Sequence, residues 1–277
     1  DDPVPVRLAQ APRQRDRDEY FAAVRNQGVP SGRIGTALRY FAEQLALDSR
    51  SKTEAGLREW LGLLTAQLEF VHATLEGENP YNIFRSLNST GVELGPADLI
   101  RNFMFMHVAA EQQDTFDDEL WSVLERGYED AQGNLDGRAL SAFFRDFLMQ
   151  SGEYIRPDDT FEVYQQRFSA TNFVPSELAR QLLTVSAWHR VLYRAVDDRS
   201  PAVNEALAHL HELDSSTTYP LLLNLFARRD RGGMTDEELT QAIQMLESFI
   251  MRRLVCSESS RPYAQLFVQA CAELGES

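Results

Sequence analysis

The chain has 277 residues, enough for one large domain or two small ones, and 43% of them are hydrophobic, which allows a sizeable buried core. Its 27 Lys and Arg residues against 42 Asp and Glu residues give a formal net charge of −15. This balance argues against a protein that grips duplex DNA over a whole face, because phosphate binding depends on neutralisation by Lys and Arg. A local basic patch remains compatible with the composition.

Prolines interrupt any periodic pattern over residues 1–15, which are predicted to be an irregular lead-in. From residue 16 to residue 275 apolar residues recur at helical spacing, and no alternating β-rich run of useful length is present. The pattern predicts an all-α fold, a multi-helix bundle of roughly ten to twelve helices in one all-helical domain. Predicted loops near residues 130–137 and 170–175 are the two candidate positions for a subdivision of this domain.

Two capping boxes mark helix starts, because a Ser or Thr and a Glu three residues later satisfy each other's free amide groups. Ser51 and Glu54 form one box, ahead of a helix expected to end near Gly77. Thr235 and Glu238 form the other box. The remaining late helices are predicted over approximately residues 113–128, 137–151, 158–169, 175–197, 201–212, 217–229, 235–255 and 262–274.

The segment Asn79–Asn102 is predicted to be a tight corner between two buried helices. Gly91 can adopt the left-handed conformation that ends a helix at little cost, and a new helix begins at Gly95. Asp98 falls in the first turn of that helix, where a carboxylate meets the positive end of the helix dipole. The polar side chains of the corner are interpreted as caps and braces, with direct contact to a ligand as the alternative; they are Asn88, Ser89, Thr90, Asp98, Arg101 and Asn102.

The same segment resembles the hallmark helical motif of the GmrSD-type restriction family, which includes the phosphorothioate-sensing SspE-type effectors. The matching pattern is Ile-Phe-x-x-Leu-Asn-x-x-Gly-x-x-Leu-x-x-x-Asp-Leu-Ile-Arg-Asn, from Ile83 to Asn102. A second stretch, in which Tyr219-Pro220 precedes Arg252-Arg253, resembles the late helices of that family. Together the two stretches extend the resemblance over approximately residues 16–275. The motif positions taken as structural are Asn88, Gly91, Asp98, Arg101 and Asn102.

The resemblance implies the helical region of a bacterial anti-phage restriction protein that couples nucleotide hydrolysis to DNA cleavage. Family members begin with a ParB-like, sulfiredoxin-like nucleotidase domain carrying an Asp-Gly-Gln-Gln-Arg motif, and a His-Asn-His nuclease domain often follows the helical region. Neither motif occurs in this chain. We therefore expect the chain itself to be non-catalytic and without a cofactor, while the full-length parent uses GTP or ATP and a divalent metal. The expected partners are the nucleotidase and nuclease domains of the same protein and DNA, and an oligomer is compatible with this hypothesis.

Arg101 and His107 support an alternative hypothesis, because they fit an Arg-Asn-x4-His pattern. The pattern resembles the motif of HEPN ribonucleases, which are all-helical, and it would place both residues to act on a ribose-phosphate linkage. About one match of this kind is expected by chance in a chain of this composition. The competing interpretation is a helix with His107 at its exposed end. A third hypothesis is a non-catalytic helical adaptor that only docks a partner protein.

Two clusters of arginine are candidates for phosphate or DNA contact, because the planar guanidinium suits phosphate recognition. The preferred cluster consists of Arg252, Arg253 and Arg261, and the other lies at residues 228–231. The competing interpretation for both clusters is salt bridging to the acidic excess of the chain.

Several other sites are excluded by the sequence. It contains no Gly-rich phosphate loop, no His-Glu-x-x-His and no Gly-x-Ser-x-Gly elbow, and no metal site is predicted. Cys256 and Cys271 stand fifteen positions apart, which matches neither a disulfide framework nor a zinc pattern and is typical of the reducing cytoplasm. No apolar run is long enough to span a bilayer. Asp1 in place of an initiator Met is compatible with an internal piece or a processed product of a longer protein.

Overall fold

A computed structural model describes residues 20–23, 25, 28, 32–49, 53–67, 95–171, 173–194 and 198–275. The chain divides into two compact units, residues 1–78 and residues 79–277. Over the described ranges the structure contains twelve α-helices and no β-strand, so the predicted all-α class is confirmed. No helix in these ranges is both long and apolar enough to cross a membrane.

The helices are numbered here in chain order. The first unit contains α1 (Arg33–Ser49) and α2 (Glu54–Ala66). The second unit contains α3 (Pro96–Met106), α4 (Gln113–Phe116), a π-helix (Asp117–Trp121), α5 (Ser122–Arg126), α6 (Gly137–Met149), α7 (Thr160–Ser169), α8 (Pro175–Arg194), α9 (Pro201–His211), α10 (Tyr219–Asp230), α11 (Asp236–Val255) and α12 (Tyr263–Leu274).

The start of α2 corrects one sequence prediction. The residue before the helix is Thr53, whose hydroxyl oxygen accepts a hydrogen bond from the Gly56 amide at 3.3 Å. Because α2 begins at Glu54, that glutamate is in the first helical position and cannot close a box from the third. The predicted box with Ser51 is therefore wrong. The helix also ends at Ala66, earlier than the predicted end near residue 77.

The capping box at the start of α11 is confirmed. The Glu238 amide donates to Thr235 Oγ1 at 3.2 Å, and the Thr235 amide donates to Glu238 Oε2 at 2.8 Å. The bond from the Thr235 amide is the largest cause that holds the pKa of Glu238 below its ordinary value. Helices α6, α8 and α9 likewise begin where the sequence predicts them. Capping signals in the local sequence therefore predicted most helix starts of the second unit correctly.

One hydrophobic core joins the helices of the second unit. Helix α6 packs against α3, α7, α8 and α10, and presents a buried apolar face that includes Phe143, Phe144 and Phe147. Residues 221–227 of α10 are all buried and all but Asn224 are apolar, as expected of a helix at the centre of a core. The loops at residues 130–137 and 170–175 both lie within this unit.

Gly152, just after α6, marks the closest approach between the end of that helix and α12. Its φ is +95°, a conformation that L side chains rarely adopt. A Cβ at this position would lie 2.5 Å from Ala272 Cβ and 2.6 Å from Ala272 Cα. The backbone of α12 would therefore have to move to admit even one methyl group.

We expect Gly152→Ala to lower the free energy of unfolding by about 2–6 kcal/mol, because backbone strain and overpacking each cost about 1–3 kcal/mol. The change is measured by urea denaturation followed by circular dichroism. Gly232→Ala is the matched control, since Gly232 also has a positive φ, of +77°, but has open space around its Cβ position. Equal losses for the two variants would contradict the close approach to α12.

Candidate functional site

The described part of the hallmark motif, residues 95–102, forms the start of α3. The Ala97 amide donates to Ser141 Oγ of α6 at 3.2 Å, so a side chain from another helix caps this helix start. Asp98 lies in the first turn and is half-buried, as is Asn102. Asn88 and Gly91 lie outside the described residues, together with the rest of residues 79–94.

Arg101 contacts two acidic side chains and one aromatic ring in this region. Its Nη2 lies 3.1 Å from Asp117 Oδ1 of the π-helix, and its Nε lies 3.5 Å from Glu125 Oε1 of α5. The longer contact is an ion pair without hydrogen-bond geometry, since Arg101 Nε has no hydrogen-bond partner. The guanidinium carbon lies 4.2 Å from the ring centroid of Phe105, in cation–π range. One motif side chain therefore ties α3 to two other segments.

The π-helix and α5 each supply one acidic partner of Arg101. Asp117 and Glu125 are both buried, and Trp121 between them donates its indole N–H to Glu125 Oε1 at 3.0 Å. Ser122 Oγ donates to Asp117 Oδ1 at 3.3 Å. The predicted helix over residues 113–128 gave no hint of this π turn. Short π segments frequently occur at functional sites, because they re-aim side chains inside an otherwise regular helix.

His107 lies on a different side of α3 from Arg101. The two residues are six positions apart, which corresponds to about 120° around an α-helix axis. His107 follows the last residue of the helix, is exposed, and its Nδ1 lies 2.8 Å from the Phe103 carbonyl oxygen. Its ring centroid lies 5.1 Å from that of Phe173. Within the described residues, Arg101 and His107 therefore contact different neighbours, and their joint role in RNA cleavage remains a prediction.

Of the three arginines in the preferred cluster, one has contacts within the fold and two are exposed. Arg253 is half-buried, and its guanidinium lies 3.4 Å from Glu258 Oε2 and over the rings of Phe249 and Tyr263. Arg252 and Arg261 are both exposed at the end of α11 and the start of α12. Their predicted contact with phosphate or DNA remains a prediction.

The arginines at residues 228–231 mostly serve the fold. Arg229 is buried against Asp198 of the segment before α9, with Nη1–Oδ1 and Nη2–Oδ2 distances of 2.7 and 2.8 Å. Arg228 donates to the carbonyl oxygens of Leu274 and Gly275, and so caps the end of α12. Arg231 is exposed. The salt-bridge interpretation therefore describes Arg229, whereas Arg231 remains accessible.

A buried polar cluster that the sequence did not indicate joins the segment after α5 to α6 and α8. The Tyr128 hydroxyl lies 3.0 Å from His189 Nδ1, and His189 Nε2 lies 3.5 Å from Asp146 Oδ2. All three residues are buried, and burial raises the pKa of Tyr128 far above its ordinary value. Their order of tyrosine, histidine and carboxylate could relay a proton, but the cluster is closed to substrate. It is best explained as a support of the core.

The described residues hold no group of three or more His, Cys, Asp or Glu side chains able to bind a metal ion. Comparison of the chain with protein-family models, curated proteins and solved structures found no match. The region around Arg101 is a cluster of one arginine and two buried carboxylates, which joins α3 to the π-helix and α5.

Proposed function

We propose that this chain is the helical region of a nucleotide-dependent, modification-sensing DNA restriction protein, where it couples nucleotide hydrolysis in one domain to DNA cleavage in another. The observation that carries the proposal is the position of Arg101, a residue of the hallmark motif. Its side chain joins α3 to the π-helix and to α5 through two buried carboxylates. The motif resemblance over residues 83–102 supports the family, and the contact supports a mechanical role within it.

Coupling between distant sites requires elements that shift together, and packed helices joined by buried polar contacts are the usual carriers. Arg101 meets that requirement, because moving α3 without the π-helix would leave Asp117 and Glu125 buried without their cation. Such a state is strongly disfavoured. We therefore expect a displacement at one end of α3 to be transmitted almost fully to α5.

The first test is the reading frame around this chain, in which an Asp-Gly-Gln-Gln-Arg motif is expected upstream. The second test uses the parent protein with Arg101→Lys, which keeps the charge but cannot contact two carboxylates through a planar fork. We expect nucleotide hydrolysis to persist and cleavage of the modified DNA that the parent protein restricts to fall at least about tenfold, equivalent to roughly 1.4 kcal/mol of lost coupling. Both rates are measured on the same preparation.

The matched control is Arg138→Lys at an exposed position of α6, which should leave both activities unchanged. A thermal melt establishes that each variant is folded at the assay temperature. An upstream frame without the motif would contradict the family assignment. A folded Arg101→Lys protein with normal DNA cleavage would contradict the coupling role.

A further inference from the structure

A groove of about 490 Å³ opens on the second unit between α6, α7, α8 and α10. Its wall on α8 consists of residues 181, 184, 185 and 188, whose spacing places them on one face of the helix. Residues 227, 230 and 231 line it from the end of α10 in the same way. The volume lies within the roughly 300–1,000 Å³ of small-molecule sites. The groove is therefore of a size for a small ligand held between rigid helices.

The aromatic part of the groove is Trp188, which is half-buried. Among the described residues, no ring stacks on the indole and no acceptor receives its N–H. Phe168, which also lines the groove, is by contrast in contact with Tyr164 and Phe173. An accessible, unstacked indole favours a ligand with a planar ring.

Two polar side chains of the groove that can donate hydrogen bonds have no partner among the described residues. Arg231 is exposed, and over the described ranges no carboxylate pairs with it. The Gln181 amide is also exposed and bonds to none of the described residues. The acceptor Asp230, in contrast, is paired with Arg199 at 3.3 Å. An unpaired guanidinium in the groove, beside a carboxylate that is already paired, favours an anionic ligand.

We propose that this groove binds a free mononucleotide, with the base against Trp188 and the phosphate at Arg231. A mononucleotide carries both a planar base that can stack on Trp188 and a phosphate that can pair with Arg231. The net charge of −15 disfavours a long polyanion, so a free nucleotide fits better than a polynucleotide. The proposal does not rest on the proposed function, because it concerns binding by this chain alone.

The test is isothermal titration calorimetry of the whole chain with AMP and GMP, alongside adenosine, inorganic phosphate and a short single-stranded oligonucleotide. We expect saturable one-to-one binding of a mononucleotide with a Kd below about 1 mM. Adenosine and inorganic phosphate should each bind at least about tenfold more weakly, since each lacks half of the contacts.

Two variants locate the site. Arg231→Gln removes the phosphate contact and should weaken binding about tenfold, and Gln181→Glu places a carboxylate in the groove and should abolish binding. Their matched controls are Arg138→Gln and Gln244→Glu, which make the same changes at exposed positions of α6 and α11. The controls should bind like the unmodified chain.

Four outcomes would overturn the proposal. They are the absence of saturable binding, equal binding by the groove variants and their controls, equal affinity for inorganic phosphate, and tighter binding of the oligonucleotide than of the mononucleotide. None of these outcomes depends on an upstream nucleotidase, so failure here is distinguishable from failure of the proposed function.

Discussion

Replacing Arg229 by alanine is expected to lower the free energy of unfolding by about 3–5 kcal/mol, because the change leaves a buried carboxylate without its cation. The guanidinium makes two parallel bonds of 2.7 and 2.8 Å to Asp198, and the two side chains are only 3% and 5% exposed. Its guanidinium carbon also lies 4.8 Å from the centroid of the Phe226 ring. This pair fastens the segment before α9 to the central helix α10.

The free energy of unfolding that Arg229→Ala loses should depend on pH in a defined direction. Burial is the largest single effect and raises the pKa of Asp198. The hydrogen bonds from Arg229 and the Ser200 amide and the positive charges of Arg229 and Arg199 together outweigh it and leave this pKa below its ordinary value. A carboxyl with a lowered folded-state pKa stabilises the protein fully above its unfolded pKa of about 3.9 and loses that contribution as the pH falls through the folded-state value. The difference between the original protein and Arg229→Ala should therefore be largest near neutral pH and shrink below about pH 4.

Urea denaturation at neutral and acidic pH measures both effects. Arg199→Ala is the control, because Arg199 is 59% exposed and pairs with Asp230 at the surface, so its loss should stay within about 1 kcal/mol. The double variant Arg229→Met/Asp198→Leu should recover most of the loss, since a well-packed apolar pair can replace a buried ion pair. A deficit that is the same at all pH values would contradict the role assigned to Asp198.

Replacing Arg101 by alanine is the second large effect, again about 3–5 kcal/mol of unfolding free energy. Removal of the guanidinium leaves Asp117 and Glu125 buried together, so repulsion between two carboxylates adds to their lost pairing. The contact with the Phe105 ring is lost as well. The effect is local to the junction of α3, the π-helix and α5.

A double-mutant cycle separates these contributions. Asp117→Asn in the Arg101→Ala background should restore part of the stability, because it removes one of the two unpaired charges. The control Arg126→Ala removes an exposed arginine of α5 that only donates to the Ser122 carbonyl oxygen, and it should have little effect. A loss below about 1 kcal/mol for Arg101→Ala would show that the cluster does not hold the three segments together.

The starts of most helices in the second unit were predictable because the signals are local. Thr235 and Glu238 are three residues apart, and their reciprocal bonds need no other part of the chain. Pro175 and Pro201 mark helix starts by their fixed φ and missing amide hydrogen. The start of α2 was misplaced because two neighbouring hydroxyl residues compete for one cap, and sequence alone does not rank them.

The partners of the charged residues were beyond sequence reasoning. Arg101 and Asp117 are 16 positions apart, and Arg229 and Asp198 are 31 apart, with nothing in the intervening residues to mark either pair. Tyr128 and His189 are 61 apart. The sequence also treats residues 228–231 as one basic cluster, whereas the structure directs Arg228, Arg229 and Arg231 to three different environments.

The sequence by itself determined that this protein is all-α and where most helices of its second unit begin. Periodicity and capping suffice for those conclusions, because they depend on residues within about four positions of one another. Only the tertiary structure decided which arginines are buried in ion pairs and which remain accessible. That outcome depends on how helices far apart in the chain pack side by side, which sets both the distance to a counter-charge and the exposure to water.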